Sequence, residues 1–176
     1  MKSSVTLILG GARSGKSLRA EKLAEASGLP VTFIATAPKI EGDSEWQERI
    51  EKHRLRRKDE WKTVEEELDL PRVIDEASGK GALIFVDCLT LWLSNLLFAD
   101  RDVEQGIAEL CDVLSKSAGE VILVSNEVGM GLVPENELGR RFRDAQGRMN
   151  QNVAAVADRV EFVAAGLPLC LKGESK

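Results

Sequence analysis

The chain has little of what marks several protein classes. It has three cysteines, widely spaced and without a CxxC pair, so neither a disulfide framework nor a structural zinc site is expected. No apolar run approaches the ~20 residues of a membrane span. The N-terminus lacks the apolar core and cleavage site of a signal peptide. We therefore expect a cytoplasmic protein with reduced thiols and no membrane span.

The chain also has no excess of basic residues, since its formal net charge is −5 at pH 7. Proteins that bind nucleic acid generally present a basic face, so no nucleic-acid partner is expected. A local site for a small anionic ligand is still compatible with this charge. With 176 residues, 43% of them hydrophobic, and no polar linker, the chain is predicted to form a single domain over residues 1–176.

Short apolar runs alternate with segments of helical spacing. The predicted strands are residues 5–9, 31–36, 82–86, 121–125, 160–164 and 169–172. The predicted helices are residues 16–26, 45–58, 68–77, 89–98, 103–117 and 134–157, the last opened by Pro134 at a favoured first position. This alternation indicates an α/β fold with a mostly parallel central sheet flanked by helices.

Residues 10–17 read GGARSGKS, which matches the P-loop pattern G-x-x-x-x-G-K-[ST]. The motif stands between a predicted strand and a predicted helix, as its chemistry requires. Glycines let backbone N–H groups converge on phosphate oxygens, Lys16 can reach the β- and γ-phosphates, and Ser17 can offer its hydroxyl to Mg²⁺. The sequence thus predicts a P-loop NTPase fold of the RecA-like type that binds ATP or GTP with Mg²⁺.

A second metal ligand is predicted at Asp87, which ends the buried strand ALIFVD as a Walker-B aspartate does. Aspartate is also a favoured helix N-cap, and a helix is predicted from residue 89. The two roles are compatible, so the pattern predicts metal binding at Ser17 and Asp87 and leaves capping open.

The single histidine, His53, lies in the most basic part of the chain. Residues 49–62 contain seven Lys or Arg and three Asp or Glu, a local charge of +4. A neutral imidazole is a good nucleophile, and neighbouring cations favour the neutral form and attract a polyphosphate. Attack on a nucleotide phosphate would suit this arrangement. A solvated helix face rich in charge is the alternative that the residues alone allow.

Nearly the whole chain resembles the bifunctional adenosylcobinamide kinase/adenosylcobinamide-phosphate guanylyltransferase family of cobalamin biosynthesis. The resemblance is carried by these blocks: LGGARSGKS at 9–17, FIATA at 33–37, RIEKHRLRR at 49–57, WKTVE at 61–65, VDCLTLWLSNLL at 86–97 and SNEVGMGLVPENELGRRFRDAQGRMNQ at 125–151. The last block is the most specific. Many relatives have proline where this chain has Lys58, which changes the local turn rather than the reacting groups.

The resemblance implies two reactions at one phosphate site. ATP or GTP phosphorylates adenosylcobinamide with Lys16 as a catalytic residue, and His53 then takes GMP from GTP and passes it to adenosylcobinamide phosphate, giving adenosylcobinamide-GDP. It also suggests a homo-oligomer, with a trimer as the expected assembly. The nucleotide contacts predicted by motif and resemblance are Gly10, Gly11, Ala12, Arg13, Ser14, Gly15, Lys16, Ser17, Ala35, Thr36, Ala37, Arg54, Leu55, Arg56, Arg57, Glu65 and Asp87.

Two other functions are compatible with the phosphate motif. One is a small-molecule kinase without transferase activity, for which His53 would be a surface residue. The other is a regulatory nucleotide switch, but the N-K-x-D motif that such switches use for base recognition is missing. Residues 126–131, NEVGMG, could line the corrinoid site, close over nucleotide, or form a glycine-rich turn.

Overall fold

Seven strands form one sheet, in which the phosphate-loop strand is central. The computed structural model describes residues 4–38, 42, 48, 51, 58 and 60–173. The strands are β1 (Ser4–Gly10), β2 (Val31–Ala35), β3 (Lys62–Glu65), β4 (Leu83–Asp87), β5 (Glu120–Asn126), β6 (Arg159–Ala164) and β7 (Leu167–Lys172). Their order is β3-β2-β4-β5-β1-β6-β7. β7 pairs antiparallel with β6, and the five other pairings are parallel.

The described residues contain five helices: α1 (Lys16–Ser27), α2 (Leu70–Ala77), α3 (Leu89–Phe98), α4 (Val103–Lys116) and α5 (Glu137–Val156). α1 is bounded by two glycines in the left-handed conformation, Gly15 and Gly28, with φ of +97° and +65°. Because L side chains rarely adopt such φ values, both ends of this helix depend on glycine. None of these helices combines the length and apolar character needed to cross a membrane.

The strand order confirms the predicted fold. β5 lies between β1, which leads into the phosphate loop, and β4, which ends at Asp87. A strand inserted between these two is the arrangement that the RecA-like prediction requires. A mostly parallel sheet flanked by helices is likewise confirmed.

Both faces of the sheet are buried, as parallel sheets require. One face packs against α2, α3, α4 and α5, whose buried side chains include Trp92 and Met149. The other face packs against α1 through Ala20 and Ala24, beside the aromatic pair Phe33 and Phe85. Buried strands of this kind have nearly continuous apolar sequences, which is why the central strands could be predicted.

Two elements differ from the prediction. β3 was not predicted, because it has four residues at an edge of the sheet and none of them is fully buried. α5 begins at Glu137 rather than at Pro134. The Asn136 side chain accepts a hydrogen bond from the Gly139 N–H at 2.6 Å and so caps the helix. Most of the predicted helix 45–58 lies outside the described residues.

Candidate active site

Six parallel strands end at the same edge of the sheet, and the predicted site residues that the structure describes lie at or next to that edge. In the strand register, Glu65 of β3 pairs with Ala35 of β2, which pairs with Asp87 of β4. On the other side of β5, Gly10 of β1 pairs with Asn126. Ligands of open α/β sheets bind beyond the carboxyl ends of strands, so this edge is the candidate site.

The phosphate loop connects the end of β1 to the start of α1. The Lys16 side chain folds back over the loop and its Nζ donates to the Gly11 carbonyl at 3.0 Å. This contact points the ammonium group across the loop, where an incoming phosphate would meet it. The positive end of α1 adds to the attraction for an anion.

Two glycines of the loop are required by close contacts. A Cβ on Gly10 would lie 2.5 Å from the Val163 carbonyl oxygen, so any side chain there would displace backbone. Gly15 has a positive φ, and its own Cβ would lie 3.0 Å from Gly166. The Gly166 N–H donates to the Ser14 carbonyl at 2.8 Å. The turn between β6 and β7 therefore supports the phosphate loop from behind.

The two predicted metal ligands have the chemistry that Mg²⁺ needs. Within the described part of the chain, neither the Ser17 hydroxyl nor the Asp87 carboxylate forms a hydrogen bond or ion pair. The N-cap of α3 is Cys88 and no side chain caps that helix, so Asp87 does not act as its cap. A hydroxyl and a carboxylate are hard oxygen donors, and Mg²⁺ completes its shell with phosphate oxygens and water. The residues present thus fit a nucleotide-bound Mg²⁺.

Cys88, directly after Asp87, is a protonated thiol at neutral pH. Burial, followed by the negative charge of Asp87, raises the pKa of Cys88 to about 11, while the positive charge of Lys16 acts in the opposite direction. The charges of Asp87 and Lys16 therefore both affect the pKa of the buried Cys88 thiol. A thiol held in this form is not a nucleophile.

The end of β2 is tied to the end of β4 by Thr36. Its buried hydroxyl donates to the Cys88 carbonyl at 2.7 Å and accepts from the Cys88 N–H at 3.0 Å. The Thr36 carbonyl in turn accepts from Asn95 Nδ2 at 2.8 Å. The hydroxyl of Thr36 is thus engaged by protein, while Glu65 is exposed at the end of β3. Nucleotide contacts at Ala35–Ala37 and Glu65 remain predictions.

Sequence reasoning missed a group of buried polar side chains behind β5, the amide network of Ser125, Gln146 and Asn150. Ser125 Oγ donates to Asn150 Oδ1 at 2.7 Å, and Gln146 Nε2 donates to Ser125 Oγ at 2.8 Å. Asn150 Nδ2 donates to the Asn126 carbonyl at 3.0 Å. The network therefore fastens α5 to the strand end beside the phosphate loop. The i, i+4 spacing of Gln146 and Asn150, next to the buried Ala145 and Met149, is the signal that could have revealed it.

A second group, the ion cluster of Arg19, Glu161 and Arg159, was also missed. Glu161 is 1% exposed and accepts two hydrogen bonds from Arg19, at 2.8 Å and 2.9 Å. Arg159 donates to the same carboxylate. The side-chain hydrogen bond from Arg19 is the largest cause that lowers the pKa of Glu161, and burial opposes it. The cluster joins α1, one turn after Lys16, to β6.

The predicted nucleophile His53 and the residues Arg54, Leu55, Arg56 and Arg57 lie outside the described residues. The chain that contains them joins Ala35, at the candidate edge, to Lys62, where β3 begins. The predicted roles of these residues remain predictions.

Comparisons with known proteins give one consistent result. The family model described as cobinamide kinase / cobinamide phosphate guanyltransferase matches residues 6–171. The bifunctional adenosylcobalamin biosynthesis protein CobP of Pseudomonas aeruginosa is 49% identical over 170 residues, covering 96% of this chain and 97% of that protein. The corresponding CobU proteins of Escherichia coli and Salmonella typhimurium are 40% and 38% identical, each over 94% of this chain and 98% of their own.

A solved structure from Pyrococcus horikoshii OT3 shares the fold. It has a TM-score of 0.55 at 9% identity and covers 98% of this chain and 88% of its own. At this identity the similarity concerns the fold alone.

Proposed function

The chain belongs to the cobinamide kinase / cobinamide phosphate guanyltransferase family, and from that premise we propose that it catalyses both reactions. In the first, ATP or GTP phosphorylates the hydroxyl group of adenosylcobinamide. In the second, GMP moves from GTP to adenosylcobinamide phosphate and pyrophosphate leaves. The product is adenosylcobinamide-GDP.

The kinase reaction uses the phosphate loop and the end of β4. Backbone N–H groups of residues 10–15 hold the phosphates, and Lys16 neutralises charge on the group being transferred. Ser17 and Asp87 would hold Mg²⁺, which neutralises charge on the β- and γ-phosphate oxygens. The observation that supports this step most directly is that the Ser17 hydroxyl and the Asp87 carboxylate have no hydrogen-bond or ion-pair partner among the described residues.

The transferase reaction uses His53 as a nucleophile. Attack by its neutral imidazole on the α-phosphorus of GTP forms an N–P bond and breaks the bond to the pyrophosphate. The phosphate group of adenosylcobinamide phosphate then attacks the same phosphorus and releases the histidine. The covalent intermediate divides one difficult displacement into two easier ones. Arg54, Arg56 and Arg57 would stabilise the charge that develops on the phosphates.

Product analysis tests the proposal. The protein is incubated with Mg²⁺ and adenosylcobinamide plus ATP or GTP, and corrinoid products are identified by mass spectrometry. We expect adenosylcobinamide phosphate with ATP and adenosylcobinamide-GDP with GTP. The Lys16→Ala variant should lose phosphorylation, whereas Lys80→Ala, which changes an exposed lysine far along the chain from the motif, should keep it. A phosphate product alone in the presence of GTP would indicate a kinase without transferase activity.

We also propose that the protein works in the cytoplasm as a homo-oligomer, with a trimer as the expected assembly, and without a nucleic-acid partner. The edge strand β7 supports the assembly, because Leu167, Leu169 and Leu171 are all exposed on it. Exposed apolar rows of this kind are commonly covered by another subunit. Light scattering after size-exclusion chromatography measures the number of subunits, and a monomer at micromolar concentration would contradict this proposal.

A further inference from the structure

Asn126, the last residue of β5, has both of its backbone polar groups hydrogen-bonded by side chains from neighbouring helices. Its N–H donates to Thr90 Oγ1 at 2.8 Å, and its carbonyl accepts from Asn150 at 3.0 Å. The next N–H, that of Glu127, donates to the Gly10 carbonyl at 3.0 Å. Side chains from α3 and α5 and the start of the phosphate loop thus fix this one strand end.

The side chain of Asn126 lies on the face of the sheet that carries α1. Side chains alternate along a strand, and Ile122 and Val124 of β5 pack in the cluster on that face. The same alternation puts Asp87 on this face, since Phe85 of β4 belongs to the same cluster. Asn126 therefore lies on the same side as the carboxylate proposed to hold Mg²⁺.

The register gives the neighbours of Asn126. It pairs directly with Gly10, where the phosphate loop begins. Asp87 pairs with Val124, two residues earlier on β5. With strands about 4.8 Å apart and a rise of about 3.3 Å per residue, the Asn126 and Asp87 Cα atoms are about 8 Å apart. Asn126 thus borders the space between the phosphate loop and Asp87, which the γ-phosphate would occupy.

The Asn126 Oδ1 atom is buried and accepts no hydrogen bond from the part of the chain that the structure describes. A buried acceptor without a donor is costly, so a bound molecule that supplies one is favoured. Phosphate oxygens of the nucleotide are themselves acceptors and cannot fill this role. The hydroxyl group that attacks the γ-phosphate can.

We propose that Asn126 binds the acceptor alcohol of the kinase reaction and orients its oxygen toward the γ-phosphorus. The inference rests on the proposed function. The alcohol O–H donates to Asn126 Oδ1. Its oxygen forms a bond to the γ-phosphorus, the bond from that phosphorus to the β–γ bridging oxygen breaks, and nucleoside diphosphate leaves. The alcohol proton passes to the transferred phosphoryl group and then to solvent. Guanylyl transfer to His53 has no attacking alcohol and does not need Asn126.

The test measures both half-reactions in Asn126→Ala and Asn126→Leu. Phosphorylation is followed with ATP and adenosylcobinamide, and guanylylation with GTP labelled at the α-phosphate and no corrinoid. We expect the kcat of phosphorylation to fall about 100-fold, the typical effect of removing one preorganised hydrogen-bonding group from an active site. The nucleotide KM and the guanylylation rate should stay within about threefold of the parent, a range well below that effect. Asn152→Ala, which changes an exposed asparagine of α5, is the matched control and should leave both reactions unchanged.

Each other outcome would overturn the inference. Phosphorylation at the parental rate in both variants would show that the amide does not orient the alcohol. Recovery in the Leu variant but not in the Ala variant would show that Asn126 only fills space. A parallel loss of both half-reactions with a higher Mg²⁺ requirement would assign Asn126 to the metal shell. If the parent itself does not phosphorylate adenosylcobinamide, the proposed function fails first and removes the basis of this inference.

Discussion

The ion cluster and the amide network support the phosphate-loop edge from opposite faces of the sheet, and they differ in charge. The ion cluster joins α1 to β6 by two guanidinium groups and one carboxylate, all within salt-bridge distance. The amide network joins α5 to β5 by neutral hydroxyl and amide groups. Both clusters stabilise the edge of the sheet that carries the phosphate loop, but only the ion cluster contains groups that titrate.

Because one cluster is charged and the other is neutral, substitutions in the two should lower stability by different amounts. Breaking a buried ion pair leaves a charge without compensation, which commonly costs about 3–5 kcal/mol of folding stability. Removing one group from a neutral network leaves unsatisfied polar atoms, which costs about 1–3 kcal/mol. The ion cluster should therefore dominate stability, whereas the amide network, which contacts the Asn126 carbonyl, should affect catalysis.

The largest effect is expected for Glu161→Gln. The substitution keeps the size of the side chain but leaves Arg19 and Arg159 facing a neutral amide. The free energy of unfolding at pH 7 should fall by about 3 kcal/mol. This value is at the low end of the range for buried ion pairs, because the side chains of both arginines are partly exposed to solvent. Urea denaturation measures this. The matched control is Asp112→Asn, which removes the carboxylate of the mostly exposed pair with Lys116 and should change stability little. Equal losses of stability in Glu161→Gln and Asp112→Asn would contradict the claim that burial makes the ion cluster important for stability.

The second prediction concerns pH. The pKa of Glu161 is lowered in the folded protein, chiefly by the hydrogen bond from Arg19. A carboxylate with a lowered pKa stabilises the fold above its unfolded pKa, roughly 4.3 for glutamate, and this contribution is lost as pH falls through the folded value. The stability difference between the parent and Glu161→Gln should thus be complete at pH 7 and shrink below about pH 4. A difference that stays constant down to pH 3 would contradict this account.

A smaller effect on stability is expected for Gln146→Leu in the amide network. Ser125 and Asn150 each lose a hydrogen bond donated by Gln146, which should cost about 2 kcal/mol. This loss should be the same at pH 5.5 and pH 8, because none of the three side chains titrates there. The kcat of phosphorylation should fall several-fold, since Asn150 also holds Asn126. Lowered stability with an unchanged kcat would show that the amide network does not affect catalysis.

The sequence predicted the central part of the fold because local signals and tertiary structure agree there. The apolar runs before Gly10 and Asp87 are buried strands, and the helix predicted after the phosphate loop is α1. β3 lacked such a signal, since its residues KTVE follow a charged segment and its burial depends on pairing with β2. The start of α5 was misplaced because Asn136 is the better cap than any residue before Pro134.

The candidate site was predictable where the chemistry is contained in one short segment. The phosphate loop could be identified from eight consecutive residues. The capping alternative for Asp87 could be settled only by the backbone of α3. The ion cluster brings together Arg19 and Glu161, which are 142 residues apart in the chain, and nothing local to either indicates that they meet. The role of His53 followed from family resemblance, because its surrounding charges also fit a solvated helix.

The most direct test of the account is covalent labelling of the protein by GTP. GTP labelled at the α-phosphate is added with Mg²⁺ and without corrinoid, and the denatured protein is examined for retained label. We predict label that is lost in acid and persists in base, as a phosphoramidate should, and no label on His53→Ala, with that variant still able to phosphorylate adenosylcobinamide. An unlabelled parent that is folded and binds GTP would contradict the guanylyltransferase half of the proposal and leave a kinase.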